Sequence, residues 1–255
     1  MALPEEQLQP RGVADVLVKA FDLYKADWQQ YLLVAALLVV PVSLVQLGAL
    51  QAIPDASTDP VTFSGGALFA SLIGVILTLI AQLVVTGALT RSGVGALVGQ
   101  PVSASEGLRN GMNRIGGLLL VIILEALAVL AGLIVLVIPG LIIAVLLAVS
   151  VPSFIVEDVR GRAALSRSWN LVKPVFWHVV GVVLLTALFT GIAASILGRI
   201  GGTSIVGQWL FSTIGTLLVT PFSALVSAVL YVELRARRQA LTTAMLREDL
   251  ARTAV

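Results

Sequence analysis

The sequence contains no cysteine and a single histidine in 255 residues. Without cysteine there is no disulfide, no thiolate nucleophile and no cysteine-ligated zinc or iron–sulfur cluster. Charge is scarce as well: 16 Lys and Arg with 14 Asp and Glu make 12% of the chain, against about 25% in a soluble domain. What stands in their place is apolar. Hydrophobic residues reach 58% and mean hydropathy is +1.02, gathered in runs of about 20 residues, the length a helix needs to cross roughly 30 Å of hydrocarbon. The composition predicts an integral membrane protein. A pI near 9.3 rests on a net charge of only +2, so the location of the charges carries more information than their sum.

Uninterrupted apolar stretches predict six spans, at 31–53, 66–90, 115–138, 141–156, 175–197 and 205–232. The fourth is short, roughly 24 Å at 1.5 Å per residue. It is separated from the third by Pro139-Gly140, where Pro cannot continue a helix and Gly tolerates a turn. If that break were only a kink, the count would fall to five. Basic residues decide between the two, because cytoplasmic loops collect Lys and Arg. Six spans place Arg11, Lys19 and Lys25, then Arg91, Arg109 and Arg114, then Arg160, Arg162, Arg167 and Lys173, then Arg235, Arg237, Arg238, Arg247 and Arg252 on one side. Only Arg199 falls on the other. Five spans would scatter the later ones across both faces. The expectation is a multi-pass protein of the cytoplasmic (inner) membrane with both termini inside. It divides into a cytoplasmic segment 1–29, a transmembrane domain 30–232 and a basic cytoplasmic helix 233–255. No cleavable signal or lipidation pattern is read at either end.

Three stretches, ahead of spans one, three and five, share a pattern. Val13, Val16, Leu17, Ala20, Phe21, Tyr24 and Trp28 recur at helical spacing, with Asp15 and Lys19 paired at i,i+4 on another face. Leu165, Trp169, Val172 and Phe176 form the second stripe, with Arg167, Asn170 and Lys173 turned to headgroups. Leu108, Met112 and Ile115 with Arg109, Asn113 and Arg114 make a weaker third copy, interrupted by Gly107 and Gly111. The pattern predicts an all-α, six-helix bundle of three units, each a cytoplasmic interfacial helix followed by a transmembrane hairpin. Basic amphipathic juxtamembrane segments unrelated by repetition would look the same.

The residues Pro152-Ser153-Phe154-Ile155-Val156-Glu157, then Ala163-Ala164-Leu165-Ser166-Arg167-Ser168-Trp169-Asn170-Leu171-Val172-Lys173 and Phe176-Trp177, carry a resemblance. The stretch resembles the hallmark of a broad family of prokaryotic multi-pass membrane proteins, which includes the membrane domain attached to some glycerophosphodiester phosphodiesterases. The resemblance implies a membrane-embedded helical domain of similar six-helix layout and no agreed activity. Phosphodiester hydrolysis itself does not fit these residues, because it needs acid–base groups and carboxylates converging on a divalent cation. No cofactor, metal site or phosphate-binding glycine loop is read here: Gly93, Gly95 and Gly99 lack the Lys-Ser/Thr ending and the preceding strand.

Inside the spans, Glu125 is the one ionisable side chain far from a membrane edge, at an insertion cost of at least about 2.5 to 3.5 kcal/mol. It is expected to find a partner in Gln82, Gln46 or a Ser/Thr, as a clasp between helices or as a proton or substrate contact. Pro41 and Pro221 interrupt spans one and six, and Thr213, Thr216, Thr220, Ser223 and Ser227 line the latter. The intramembrane polar candidates are Glu125, Gln82, Thr216 and Thr220. The interfacial candidates are Trp28, Arg167, Trp169, Lys173, Trp177, Arg235, Arg237 and Arg238, with His178 beside Trp177 as an anchor at headgroup level. Ala187, Gly191 and Ser195 form a small-residue ridge suited to close helix contact, including contact with a second copy or a partner membrane protein. Nucleic acid is not an expected partner, since the arginines flank membrane spans and lack stacking aromatics. Three functional readings are open: a non-catalytic protein that contacts or organises lipid, preferring anionic headgroups; a transporter or channel-like protein for a small or amphipathic solute using Glu125; and an accessory membrane subunit of a separate enzyme.

Overall fold

The computed structural model describes residues 12–51, 65–100, 102–202, 204–239 and 241–253. Arg11 and the end of the first expected span lie outside them. Among the described residues the chain is helical throughout and has no strand. In order it forms α1 (Val13–Ala26), α2 (Trp28–Gln51), α3 (Gly65–Leu97), α4 (Ala104–Asn113), α5 (Ile115–Val135), α6 (Val137–Leu146), α7 (Ser150–Glu157), α8 (Arg162–Val172), α9 (Phe176–Ile200), α10 (Ile205–Gln239) and α11 (Thr243–Arg252). Six stretches are long and apolar enough to cross a membrane, as a multi-pass protein requires: α2, α3, α5, α6 with α7, α8 running into α9, and α10.

These pack as three pairs, α2 with α3, α5 with α6–α7, and α9 with α10. The second member of each pair is the inner one. In the most apolar window 72% of α3, 50% of α6–α7 and 72% of α10 is buried, against 28% of α2, 17% of α5 and 11% of the α8–α9 stretch. The inner helices α3, α7 and α10 all touch one another. Of the outer ones, α5 presents exposed Leu127 and Leu130 and α9 exposed Leu184, Leu188 and Ile192, large apolar side chains of the kind that lipid accommodates. At 33 and 35 residues, α3 and α10 run roughly 50 Å, about 20 Å more than the hydrocarbon needs. Their surplus lies at the basic end of the bundle, where the four short helices α1, α4, α8 and α11 wrap it.

Two short helices sit on the pair that precedes them in the chain, and α1 sits on the last pair. Thus α4 lies on α2 and α3, α8 lies on α5, α6 and α7, and α1 closes the circle on α9 and α10. Gly107 and Gly111, which look like interruptions of the third amphipathic stripe, are its contact face: a Cβ at Gly107 would stand 3.3 Å from the Ala88 carbonyl oxygen, and one at Gly111 3.0 Å from that of Val84. A Cβ at either position would require the α3 backbone to give by a few tenths of an ångström.

Two boundaries differ from the sequence reading. The turn between the third and fourth spans falls at Leu136, which is extended (φ −166°, ψ 155°), not at Pro139-Gly140. Pro139 sits in the first turn of α6, where its missing N–H would have had no partner anyway. Gly140 instead packs against Gly132, with a Cβ at either position falling within 3.0 Å of the other helix's backbone. Arg91, expected in a loop after span two, lies inside α3 and is buried, because the helix continues to Leu97.

Candidate functional site

The fourth span is discontinuous. Between α6 and α7, residues 147–149 leave the helical ladder, and in hydrocarbon every backbone group so released needs a protein partner. Hydroxyls from other helices supply them. Ser168 of α8, fully buried, donates to the Leu146 carbonyl (2.8 Å) and accepts the Val149 N–H (3.2 Å). Ser227 of α10 donates to the Ala148 carbonyl (3.3 Å), and Ser153 donates back to that of Val149 (2.8 Å). Immediately after the break, the Ser150 hydroxyl hydrogen-bonds Glu125 of α5 and lies 2.7 Å from the Leu147 carbonyl. The expected Ser/Thr partner of Glu125 is therefore Ser150. Gln82 and Gln46 are elsewhere.

At the basic end, α7, α8, α10 and α11 meet around Glu157. Its carboxylate accepts from the Tyr231 hydroxyl (2.6 Å) and pairs with Arg167 (2.9 Å) and Arg235 (3.5 Å). Arg235 reaches on to Asp249 of α11 (2.7 Å). Two arginines and two carboxylates thus compensate one another, with buried Tyr231 among them. This corrects the interfacial assignment of two residues. Arg235 is buried and internally paired rather than lipid-facing, since α10 extends past the bundle's apolar core and α11 covers it. Arg167 is half-buried on Glu157 instead of turned outward. Beside this network buried Glu233 pairs with Arg237, and His178 Nε2 lies 3.6 Å from the same carboxylate, so His178 faces inward and not headgroups. The remaining interfacial candidates, Trp28, Trp169, Lys173, Trp177 and Arg238, are exposed, and Arg238 donates to the Asn170 carbonyl (3.2 Å).

A third polar group fastens α11. Arg91 donates to the Leu250 carbonyl (3.0 Å) and the Thr253 hydroxyl (2.9 Å), and Asn110 of α4 to the Thr253 carbonyl (2.9 Å). The buried cation faces the last carbonyls of a helix, its negative pole. Arg247 ties the other side of α11 to the Val98 carbonyl (2.8 Å). In α1, burial pushes the Tyr24 hydroxyl above the usual tyrosine range.

Gln82 and Thr216 do come together, in a pocket of about 120 Å³ between α2, α3 and α10 that also exposes Ser43, Gln46, Trp209, Ser212 and Thr213. Thr220, one turn further along α10, is buried and outside it. Glu125 does not line it either. Ala187, Gly191 and Ser195 lie exposed on α9 along a shallow groove that ends at Arg199. No group of three or more potential metal-ligating side chains occurs among the described residues. Comparisons with protein-family models, with curated proteins and with solved structures find no match.

Proposed function

We propose that the chain is a non-catalytic protein of the cytoplasmic membrane, with both termini inside, that contacts and organises lipid through three like units. The observation that carries this is the circular seating of α1, α4 and α8, the latter two on the pair before each and α1 on the last pair, with apolar and basic side chains left exposed at one end. Phe21, Lys25 and Trp28, then Arg109 and Met112, then Trp169, Lys173 and Trp177 form three outward patches of the kind that settle at headgroup level. Inner helices α3, α7 and α10 and outer helices α2, α5 and α9 repeat in the same order, which supports a threefold repetition of helix and hairpin. Each basic side chain near an anionic surface adds about 1 kcal/mol. The test is the lipid shell retained by protein extracted from mixed phosphatidylglycerol and phosphatidylcholine vesicles. Enrichment of the anionic lipid that falls when Lys25, Lys173 and Arg238 are changed to Gln supports the reading; retention blind to headgroup charge counts against it.

The broken fourth span beside Glu125 favours a second reading, a transporter for a small or amphipathic solute, because discontinuous helices border binding sites in many carriers. Proton or solute flux in proteoliposomes that disappears in Glu125→Gln would support it over the first.

A further inference from the structure

The pocket between α2, α3 and α10 lies at the opposite end from the charged network. Its α10 residues, Trp209 to Thr216, are within the first three turns of that helix, roughly 6 to 17 Å from its start. Its α2 residues, Val39 to Gln46, belong to the later part of a helix that begins at the basic end. A polar recess there sits in the apolar band, where hydrogen-bonding groups without partners are costly. Most of its hydroxyls bond to their own helices: Ser43 to the Val40 carbonyl, Ser212 to that of Trp209, and Thr216 to that of Ser212. Trp209 Nε1 is held by the Ser43 carbonyl (2.7 Å), which fixes the indole as a wall. Their lone pairs stay available as acceptors. Gln82, exposed on α3, brings an amide with two donors and an acceptor to the lining. Val39, Val42 and Ala81 complete the lining, and no charged side chain belongs to it.

We propose that this recess binds an uncharged, hydroxyl-bearing group of glycerol size, its hydroxyls bonded to Gln82, Ser212 and Thr216 and its carbon face against Trp209. Lack of lining charge disfavours phosphate and carboxylate, which would be desolvated without a counter-ion. The volume of about 120 Å³ is well under the roughly 300 Å³ of a pocket for a drug-sized ligand. A head of this chemistry has two sources, the glycerol end of an uncharged amphiphile such as diacylglycerol or a free polyol. The site is independent of the basic patches above, since it differs in residues, in position and in the charge it selects.

The experiment is native mass spectrometry and equilibrium binding on the full chain, with dioleoylglycerol in phosphatidylcholine vesicles, dioleoylphosphatidylglycerol in the same vesicles, and free glycerol. Dioleoylglycerol is expected to bind in preference to phosphatidylglycerol, and Gln82→Leu to weaken it about tenfold, the scale of one or two lost uncharged hydrogen bonds. Ser212→Ala should weaken it severalfold. Thermal unfolding of Gln82→Leu, unchanged or raised, separates lost binding from lost folding. Binding of dioleoylglycerol without competition by glycerol assigns the amphiphile, and binding of glycerol alone assigns the free polyol. Binding that Gln82→Leu and Ser212→Ala leave unchanged, equal binding of phosphatidylglycerol, or no binding of either uncharged probe overturns the proposal. Loss of anionic-lipid enrichment in the basic-residue variants has no bearing on it.

Discussion

The Ser168 hydroxyl closes a gap in a helix to which it does not belong, donating to the Leu146 carbonyl at 2.8 Å while accepting the Val149 N–H. One side chain of α8 thereby satisfies both lips of the break between α6 and α7. Ser168→Ala should leave a donor and an acceptor unpaired in a buried site. A loss of about 1 to 3 kcal/mol is expected, read as a lowered unfolding midpoint in detergent. An unchanged midpoint would mean that another group fills the gap.

Glu125 and Ser150 join α5 to the start of α7. The insertion cost of the carboxyl is common to folded and separated helices within a bilayer, so it cancels from their association, leaving the pair. Such hydrogen bonds contribute about 0.6 kcal/mol on average and up to about 2. Glu125→Leu is therefore expected to weaken the bundle by about 1 kcal/mol, and Glu125→Gln, which can still bond Ser150, by less than half of that. Unfolding titrations of the two variants in mixed micelles check the order.

The six apolar stretches and the amphipathic run 13–28 were legible in the sequence because lipid enforces long apolar segments and the 3.6-residue period survives in a helix with one wet face. Which helices were inner could not be read from periodicity, since α3 and α5 are apolar all round. The Glu157 network was hidden for a different reason. Arg235 looks like an ordinary positive flank until α11 is seen folding back to place Asp249 beside it. Ser168 and Ser150 carry no pattern of their own: a serine in a helix becomes informative only when another helix is broken opposite to it. Gly107 and Gly111 were misleading as breakers and meaningful as a four-residue ridge, a distinction that needs the partner backbone.

Glu157 holds two arginines and a tyrosine hydroxyl in a mostly buried setting. Removing one member of such a network leaves the others uncompensated, at about 3 to 5 kcal/mol. Glu157→Ala should fall in that range, whereas the double change Glu157→Ala with Arg235→Leu should recover part of the loss by removing one stranded charge. A double-mutant cycle on thermal or denaturant unfolding measures the coupling, and strict additivity would show that the contacts are energetically idle.

Arg91 is buried in α3 with no carboxylate in ion-pair range among the described residues, and its compensation is the end of α11. At this end of α11 the guanidinium holds the Leu250 carbonyl and the Thr253 hydroxyl, while Asn110 holds the Thr253 carbonyl. Arg91→Leu should therefore free the C-terminal helix without disturbing the apolar contacts of α3, since leucine keeps the stem's burial and discards the charge. The remaining ties of α11 are Asn110 to the Thr253 carbonyl, Arg247 to the Val98 carbonyl and Asp249 to Arg235. Faster tryptic cleavage after Arg247, with the bundle's unfolding midpoint changed by no more than about 1 kcal/mol equivalent, is the expected result. Cleavage at the parental rate would mean that the three remaining ties suffice to hold α11.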